Sequence, residues 1–212
     1  MAVIDSFESG FNRWHDEGEV TVPNGWTPDW LQGDGLVRPE FKPETDRVYD
    51  GATAAKMCHR FSTWVGVLYR QVPARLAGPF TMSAYFKAFT TENPKGALQG
   101  RIGVDLHGGP DFQAESVLWS DEWGQWQDKR PETDWHQFMV EGIAQASMVT
   151  VFLAARVHYA ANTSAAFWDK VFVDAGDGPA PPEPPLPPPG GEFDWERLAR
   201  AHEAFAAVCR GG

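Results

Sequence analysis

The chain has 212 residues and a formal net charge of −11, from 29 acidic and 18 basic residues. This length suits one domain of ordinary size with a short extension, and it can bury a hydrophobic core without disulfide staples. The negative charge argues against a nucleic-acid partner, because phosphate backbones bind basic surfaces. The basic residues form no run that would predict a membrane-surface patch.

No segment of the sequence predicts export or membrane insertion. Residues 1–8 lack the basic and apolar stretches of a signal peptide, and no apolar run approaches the length of a transmembrane helix. We therefore expect a protein that is not exported by the standard route. The two cysteines, Cys58 and Cys209, form neither a disulfide framework nor a metal-ligand spacing.

The first fifty residues predict one strand followed by a long loop. Residues 3–7 have a short strand pattern, whereas Gly, Pro and Asp interrupt every apolar run between Asn12 and Gly51. Trp14, Trp26 and Trp30 lie in these loop-like contexts. Loops of this length tend to be functional or to pack over one end of a fold.

Residues 52–174 predict an all-β architecture. Short alternating or apolar runs are separated by clusters of Gly, Pro, Asn and Asp, and helical periodicity is absent. The predicted strands are residues 54–61, 65–72, 80–89, 101–106, 116–120, 135–143, 147–157 and 166–173.

Alternation along these strands assigns their faces. The even positions from Phe80 to Ala88 are all apolar, so they should point into the core. The odd positions from Val149 to Val157 form a second inward row, and a third begins at Ile102. Such rows predict a two-sheet antiparallel β-sandwich of the jelly-roll type.

The composition changes after Gly178. Residues 179–189 are mostly proline and predict an extended polyproline-type arm that cannot join a sheet. Asp194 can cap a short C-terminal α-helix with one apolar face. We therefore divide the chain into a β-sandwich domain (1–176), a Pro-rich arm (177–191) and an amphipathic helix (192–212).

A helix this short is marginal alone in water, so its apolar face should dock on its own domain, another subunit or a protein partner. The residues predicted to serve assembly are Trp195, Leu198, Phe205 and Val208.

Several short segments occur in an order typical of one group of modules. They are a Phe-Glu-x-Gly opening within residues 6–11, Asn24-Gly25-Trp26, and residues 49–52, 101–105, 107–109, 117–120 and 167–171. In this order the chain resembles bacterial and phage carbohydrate-binding modules with the galactose-binding-like β-jelly roll. The resemblance covers residues 1–175 and leaves the arm and the helix outside.

The resemblance implies a structural Ca²⁺ near the first and last strands, held by Glu8 and Asp169. Hard oxygen ligands from two chain ends suit this ion. Relatives often have two consecutive acids before the closing valine, whereas this chain has Asp169-Lys170. In the alternative, both carboxylates bind backbone or lysine groups at a surface seam.

The resemblance also implies a glycan or cell-surface polysaccharide as ligand. Sugar sites combine flat aromatic rings with amides, acids or arginines. The predicted ligand-binding residues are Trp26, Trp30, Gln32, Trp64, Trp123, Gln125, Trp126 and Asp128. Trp123 and Trp126 could instead form a lid over the core. Three other tryptophans fall within predicted strands and are expected in the core: Trp119, Trp135 and Trp168.

We predict a non-catalytic binding module attached to a larger assembly. A first alternative is a virion decoration or tail protein that assembles through its arm and helix and has no glycan ligand. A second is a small glycoside-active enzyme that uses paired carboxylates. The candidate carboxylates are Asp105, Asp111, Glu115 and Glu122; the six histidines lack metal-binding spacing, and no nucleophile or phosphate-loop motif is present.

Overall fold

The structure is a computed structural model that describes residues 2–14, 20–91 and 97–176. The chain divides into two units, Met1–Gly178 and Pro179–Gly212. The predicted arm and C-terminal helix lie outside the described residues. Within the described ranges, no helix is long and apolar enough to cross a membrane.

Fourteen strands and one short helix make up the described part of the first unit. In chain order they are β1 (Ala2–Asp5), β2 (Phe11–Arg13), β3 (Thr21–Pro23), β4 (Thr27–Trp30), β5 (Glu40–Glu44), β6 (Ala54–His59), β7 (Trp64–Pro73), β8 (Pro79–Thr90), β9 (Leu98–Asp105), β10 (Val117–Trp119), β11 (Trp123–Gly124), α1 (Gln125–Asp128), β12 (His136–Ile143), β13 (Met148–Val157) and β14 (Ser164–Asp174).

The strands form two six-stranded antiparallel sheets. Sheet I has the order β12-β8-β14-β6-β5, with β1 also paired to β14. Sheet II has the order β10-β9-β13-β7-β4, with β11 also paired to β9. Strands β2 and β3 form a separate hairpin. The predicted two-sheet β-sandwich is confirmed.

The inner faces of the two sheets share one apolar core. The predicted inward rows on β8 and β13 are buried, from Phe80 to Ala88 and from Val149 to Val157. Trp168 on β14 is fully buried, as predicted. Its ring centroid lies 4.7 Å from that of Phe86 on the neighbouring strand. Large aromatic side chains therefore fill the space between the sheets.

The prediction of one long loop between Asn12 and Gly51 was wrong, because this segment holds four short strands. β4 pairs with β7 at the edge of sheet II, and β5 pairs with β6 at the edge of sheet I. Pro28 and Pro43 lie within these edge strands. Proline is tolerated at an edge, where its missing N–H breaks no ladder, so the sequence pattern hid both strands.

Substitutions of inward and outward side chains should differ strongly in their effect on the free energy of unfolding. Phe86→Ala removes a fully buried ring packed against Phe138 and Trp168 and should lower the free energy of unfolding by about 3–5 kcal/mol. The matched control is Met139→Ala on β12, where the side chain is 57% exposed and the expected change is within about 0.5 kcal/mol. Urea unfolding measures both, and equal losses would contradict the assigned faces.

Candidate functional site

Three of the predicted ligand-binding residues are buried, with 3% exposure for Trp26 and none for Trp64 and Gln125. Trp26 is in the core, where its indole N–H donates to Asp5 over 2.9 Å. Trp64 begins β7 instead of lying in a turn, and its N–H donates to the Ser164 hydroxyl over 2.9 Å. The prediction for Trp64 was wrong, since a turn-like sequence context does not show that an aromatic ring folds inward. Trp26 is also packed inward, but it lies at the wall of a pocket beside Asn24 and Thr27, so its role in ligand binding stays a prediction.

Gln125 is also fully buried, and its prediction as a ligand residue was wrong for a different reason. Its amide nitrogen donates to the Thr90 hydroxyl and to the Pro131 carbonyl, and its amide oxygen accepts from the backbone N–H of Leu98. The side chain therefore joins α1 to strands of both sheets. A buried amide whose oxygen and nitrogen both have partners is a structural element.

The other predicted ligand residues lie on several elements. Gln32 is exposed after β4, and Trp30 packs partly against the core. Trp123 stacks on His136 with ring centroids 4.2 Å apart, which agrees with the alternative of a lid over the core. The half-buried carboxylate of Asp128 pairs with Arg130. Trp126 stays 39% exposed and is the best placed of the set to contact a ligand.

The outer face of sheet II carries a second apolar layer and a cleft. Val67, Phe152 and Ala154 point outward from the sheet and are covered by Phe112 from the loop between β9 and β10. Beside this cover lies a cleft of about 200 Å³. The lining side chains that bear on ligand chemistry are Gln99, Arg101, Gln113, Trp119, Glu122 and Arg156.

A cation–aromatic contact forms one side of the cleft. The Arg101 guanidinium carbon lies 4.0 Å from the centre of the Trp119 ring. Trp119 reaches this position because its cross-strand partner is Gly103, where a Cβ would come within 2.5 Å of the ring. Such a contact holds the guanidinium in a defined plane. Trp119 is thus partly exposed at a cleft, and its prediction as a core residue was wrong.

Two arginines and one glutamate supply the charge of the cleft. Burial lowers the pKa of Arg101, nearby Glu122 opposes this shift, and the positive charge of Arg156 adds to it. Within the described part of the chain, neither guanidinium has an ion-pair partner within 4.0 Å. Two arginines therefore face one cleft with their charge only partly compensated.

Gln99 supplies a polar group that lacks a protein partner. The residue is 1% exposed and lines the cleft on β9, where it pairs in register with Arg156 on β13. Among the described residues, neither its amide nitrogen nor its amide oxygen has a hydrogen-bond partner. An unsatisfied buried amide lowers stability.

Trp126 and His158 extend the site beyond the sheet. Their ring centroids are 4.3 Å apart. Burial lowers the pKa of His158, Arg156 lowers it further, and Glu122 opposes both. His158 lies two residues after Arg156 at the end of β13, and Trp126 lies two residues after Gly124, which pairs with Gln99 on β9. The exposed Trp126 is therefore next to the cleft.

Trp135 was also expected in the core, but it precedes β12, is partly exposed and contacts Tyr49 edge-on at 5.7 Å.

Sequence reasoning missed most of the residues that line the cleft. Alternation does place Arg101 and Arg156 on outward positions of their strands. Their proximity depends on the register between β9 and β13, which the sequence does not reveal.

The residues predicted to hold calcium have protein partners. Both oxygens of Asp169 accept backbone N–H groups, from Tyr49 and Asp50 on one oxygen and from Lys170 on the other. One oxygen of Glu8 accepts the N–H groups of Ala52 and Thr53. Burial raises the pKa of Asp169, and these hydrogen bonds oppose the rise.

Calcium takes six to eight oxygen ligands. No group of three His, Cys, Asp or Glu side chains that could hold a metal ion occurs within the described ranges. The donors around Glu8 and Asp169 therefore do not fit this ion well, and the calcium prediction needs a direct test.

The carboxylates considered for catalysis are not gathered in the cleft. Asp105 is buried at the end of β9 and accepts the N–H of His107 and the hydroxyl of Ser116. Asp111 accepts the N–H of Gln113 within the same loop, and Glu115 is exposed. Glu122 is the one carboxylate among the described residues that line the cleft.

The sequence matches no protein-family model and no curated protein. The K1 cleaved adhesin domain of Lys-gingipain from Porphyromonas gingivalis has a similar structure, with a TM-score of 0.53 and 14% identity over 84% of this chain and 99% of that domain. The K2 adhesin domain of Lys-gingipain has a TM-score of 0.51 and 14% identity over 82% of this chain and 98% of that domain.

The CBM22-1 xylan-binding domain of Paenibacillus barcinonensis Xyn10C has a TM-score of 0.49 and 12% identity over 83% of this chain and 95% of that domain. At such low identities the similarities concern the fold alone. The two-sheet antiparallel β-sandwich predicted from the sequence is confirmed at this level.

Replacing Gln99 with an apolar residue should stabilise the fold. Gln99→Leu has similar volume and removes the unsatisfied polar group, so the free energy of unfolding should rise by about 1–3 kcal/mol. Urea unfolding of the variant and the wild type measures the difference. A loss of stability would mean that the amide is already satisfied in the free protein.

The backbone partners of Glu8 and Asp169 predict that calcium has no effect on stability. The melting temperature should be the same in calcium and in a chelator, because both oxygens of Asp169 and one oxygen of Glu8 already accept N–H groups. A bound ion worth 1 kcal/mol would raise the melting temperature by about 2–4 °C. Such a rise, lost in Glu8→Gln, would establish the calcium site.

Proposed function

We propose that this protein is a non-catalytic glycan-binding module whose binding surface is the cleft on the outer face of sheet II. The observation that carries this proposal is the convergence there of Trp119, Arg101 and Arg156 on one concave surface. Two guanidinium groups offer donors to sugar hydroxyls. Trp126 beside the cleft offers an apolar face for a sugar ring.

The chemistry of the cleft favours binding over hydrolysis. Glycoside cleavage ordinarily needs two carboxylates on opposite sides of the bond. Glu122 alone among the described lining residues supplies one. Asp105 accepts hydrogen bonds from its own loop and serves the fold. The donors in the cleft suit an acceptor-rich ligand such as a glycan.

Attachment to a larger assembly depends on residues 177–212, as does the virion alternative. The predicted assembly residues of the helix, Trp195, Leu198, Phe205 and Val208, lie outside the described residues. Both ideas therefore stay predictions from the sequence.

A glycan array followed by affinity electrophoresis tests the binding proposal. Trp126→Ala should weaken binding by about tenfold or more, which corresponds to about 1.4 kcal/mol. The matched control is Tyr49→Ala. Tyr49 is 41% exposed, close to the value for Trp126, but stacks on Tyr85 of sheet I. Binding should be unchanged in this variant.

Two results would contradict the proposal. One is the absence of binding to any glycan on the array. The other is an equal loss in Trp126→Ala and Tyr49→Ala, which would place the ligand elsewhere or indicate non-specific aromatic contact.

A further inference from the structure

We propose that the cleft on sheet II selects glycans that carry carboxylate groups, with Arg101 and Arg156 as the residues that bind the carboxylate. This inference rests on the proposed glycan-binding function and adds the chemical class of the ligand. It follows from the charge of the cleft, the geometry of Arg101 and the position of two arginines without an acid partner at one cleft.

The cleft is a local positive site on an acidic protein. The charged side chains among its described lining residues are Arg101, Arg156 and Glu122, so its formal charge is +1, whereas the whole chain carries −11. Arg101 faces Ala154 across the strands, and Arg156 is two residues further along the same face of β13, so the two positive charges are neighbours. Arg156 accordingly disfavours the charge on Arg101. A carboxylate bound between them would relieve that repulsion, which a neutral sugar cannot do.

Several other arginines in the structure have an acid partner. Arg47 pairs with Glu132, Arg70 with Asp5, and Arg130 with Asp128. No such pair is present for either cleft arginine among the described residues. A protein with 29 acidic residues has many candidate partners for a cation. Arg13, Arg60 and Arg75 also have no acid within 4.0 Å among the described residues, but only Arg101 and Arg156 line one cleft together. A ligand carboxylate between them would supply the missing partner.

Arg101 is also positioned for directional binding. Its guanidinium rests on the Trp119 ring at 4.0 Å, and this contact leaves the N–H groups at the edge of the plane to donate. A planar guanidinium binds a carboxylate through two parallel hydrogen bonds, which an ammonium or an amide cannot reproduce. Trp119 is thus a positioning residue for Arg101.

The overall negative charge does not prevent this recognition. At physiological ionic strength charges are screened beyond about 8 Å, so a bound carboxylate responds mainly to the groups that line the cleft. Distant acidic residues slow the approach of an anionic polymer and reduce non-specific adhesion. Binding by the cleft arginines should therefore weaken as salt is added.

Affinity electrophoresis of the full chain through gels containing polyuronates tests the inference. The probes are polygalacturonate, alginate and hyaluronate, each compared with the same polymer after its carboxyl groups have been reduced to neutral alcohols. The wild type should bind at least one of the acidic polymers about tenfold or more tightly than its reduced form.

Substitutions assign the effect to the cleft. Arg156→Gln and Arg101→Gln should each weaken binding of the acidic polymer by about tenfold and leave binding of the reduced polymer nearly unchanged. Arg156 is exposed, so its variant should fold normally. The matched control is Arg60→Gln, because Arg60 is exposed near sheet I and also has no ion pair within the described residues. It should bind like the wild type.

The outcomes separate this inference from the function on which it rests. Equal binding to acidic and reduced polymers, or binding of neutral glycans alone, overturns the carboxylate preference but leaves a glycan-binding module. An equal loss in Arg60→Gln and Arg156→Gln also overturns it, since the effect would then be non-specific charge. Failure to bind any polyuronate or any glycan on the array would contradict both the carboxylate preference and the proposed glycan-binding function.

Discussion

The site depends on the fact that sheet II is apolar on both faces. Phe152 and Ala154 alternate along β13 with Val151 and Leu153, and all four side chains are buried. Inward residues meet the core between the sheets, whereas the outward ones need a separate cover. The chain supplies this cover with the loop between β9 and β10, above all with Phe112.

The cover extends over only part of the sheet, and the cleft lies at its margin. Where the apolar layer ends, the outward positions of β9 and β13 change to Gln99, Arg101 and Arg156. Trp119 belongs to the apolar layer and also contacts Arg101. The same side chain therefore completes a hydrophobic cluster and orients a cation, which joins the stability of the outer layer to the geometry of the site.

The sequence predicted the sandwich because apolar residues recur at every second position of its inner rows. The rows from Phe80 to Ala88 and from Val149 to Val157 are both buried between the sheets. Edge strands escaped prediction because Pro28 and Pro43 are permitted there. The burial of Trp26 and Trp64 escaped prediction for another reason. Tertiary packing, and not the local sequence, sets the direction of an aromatic ring in a turn-like segment. The proximity of Arg101 to Arg156 depends on strand register and crosses 55 residues of sequence, so no local pattern contains it.

The claim that most needs testing is that the ligand lies on the outer face of sheet II. A crystal structure of the protein with an acidic oligosaccharide tests it most directly. We expect the sugar beside Trp119, with its carboxylate on Arg101 and Arg156 and its ring near Trp126. An oligosaccharide held on sheet I, or at the Glu8 and Asp169 end of the sandwich, would contradict the account.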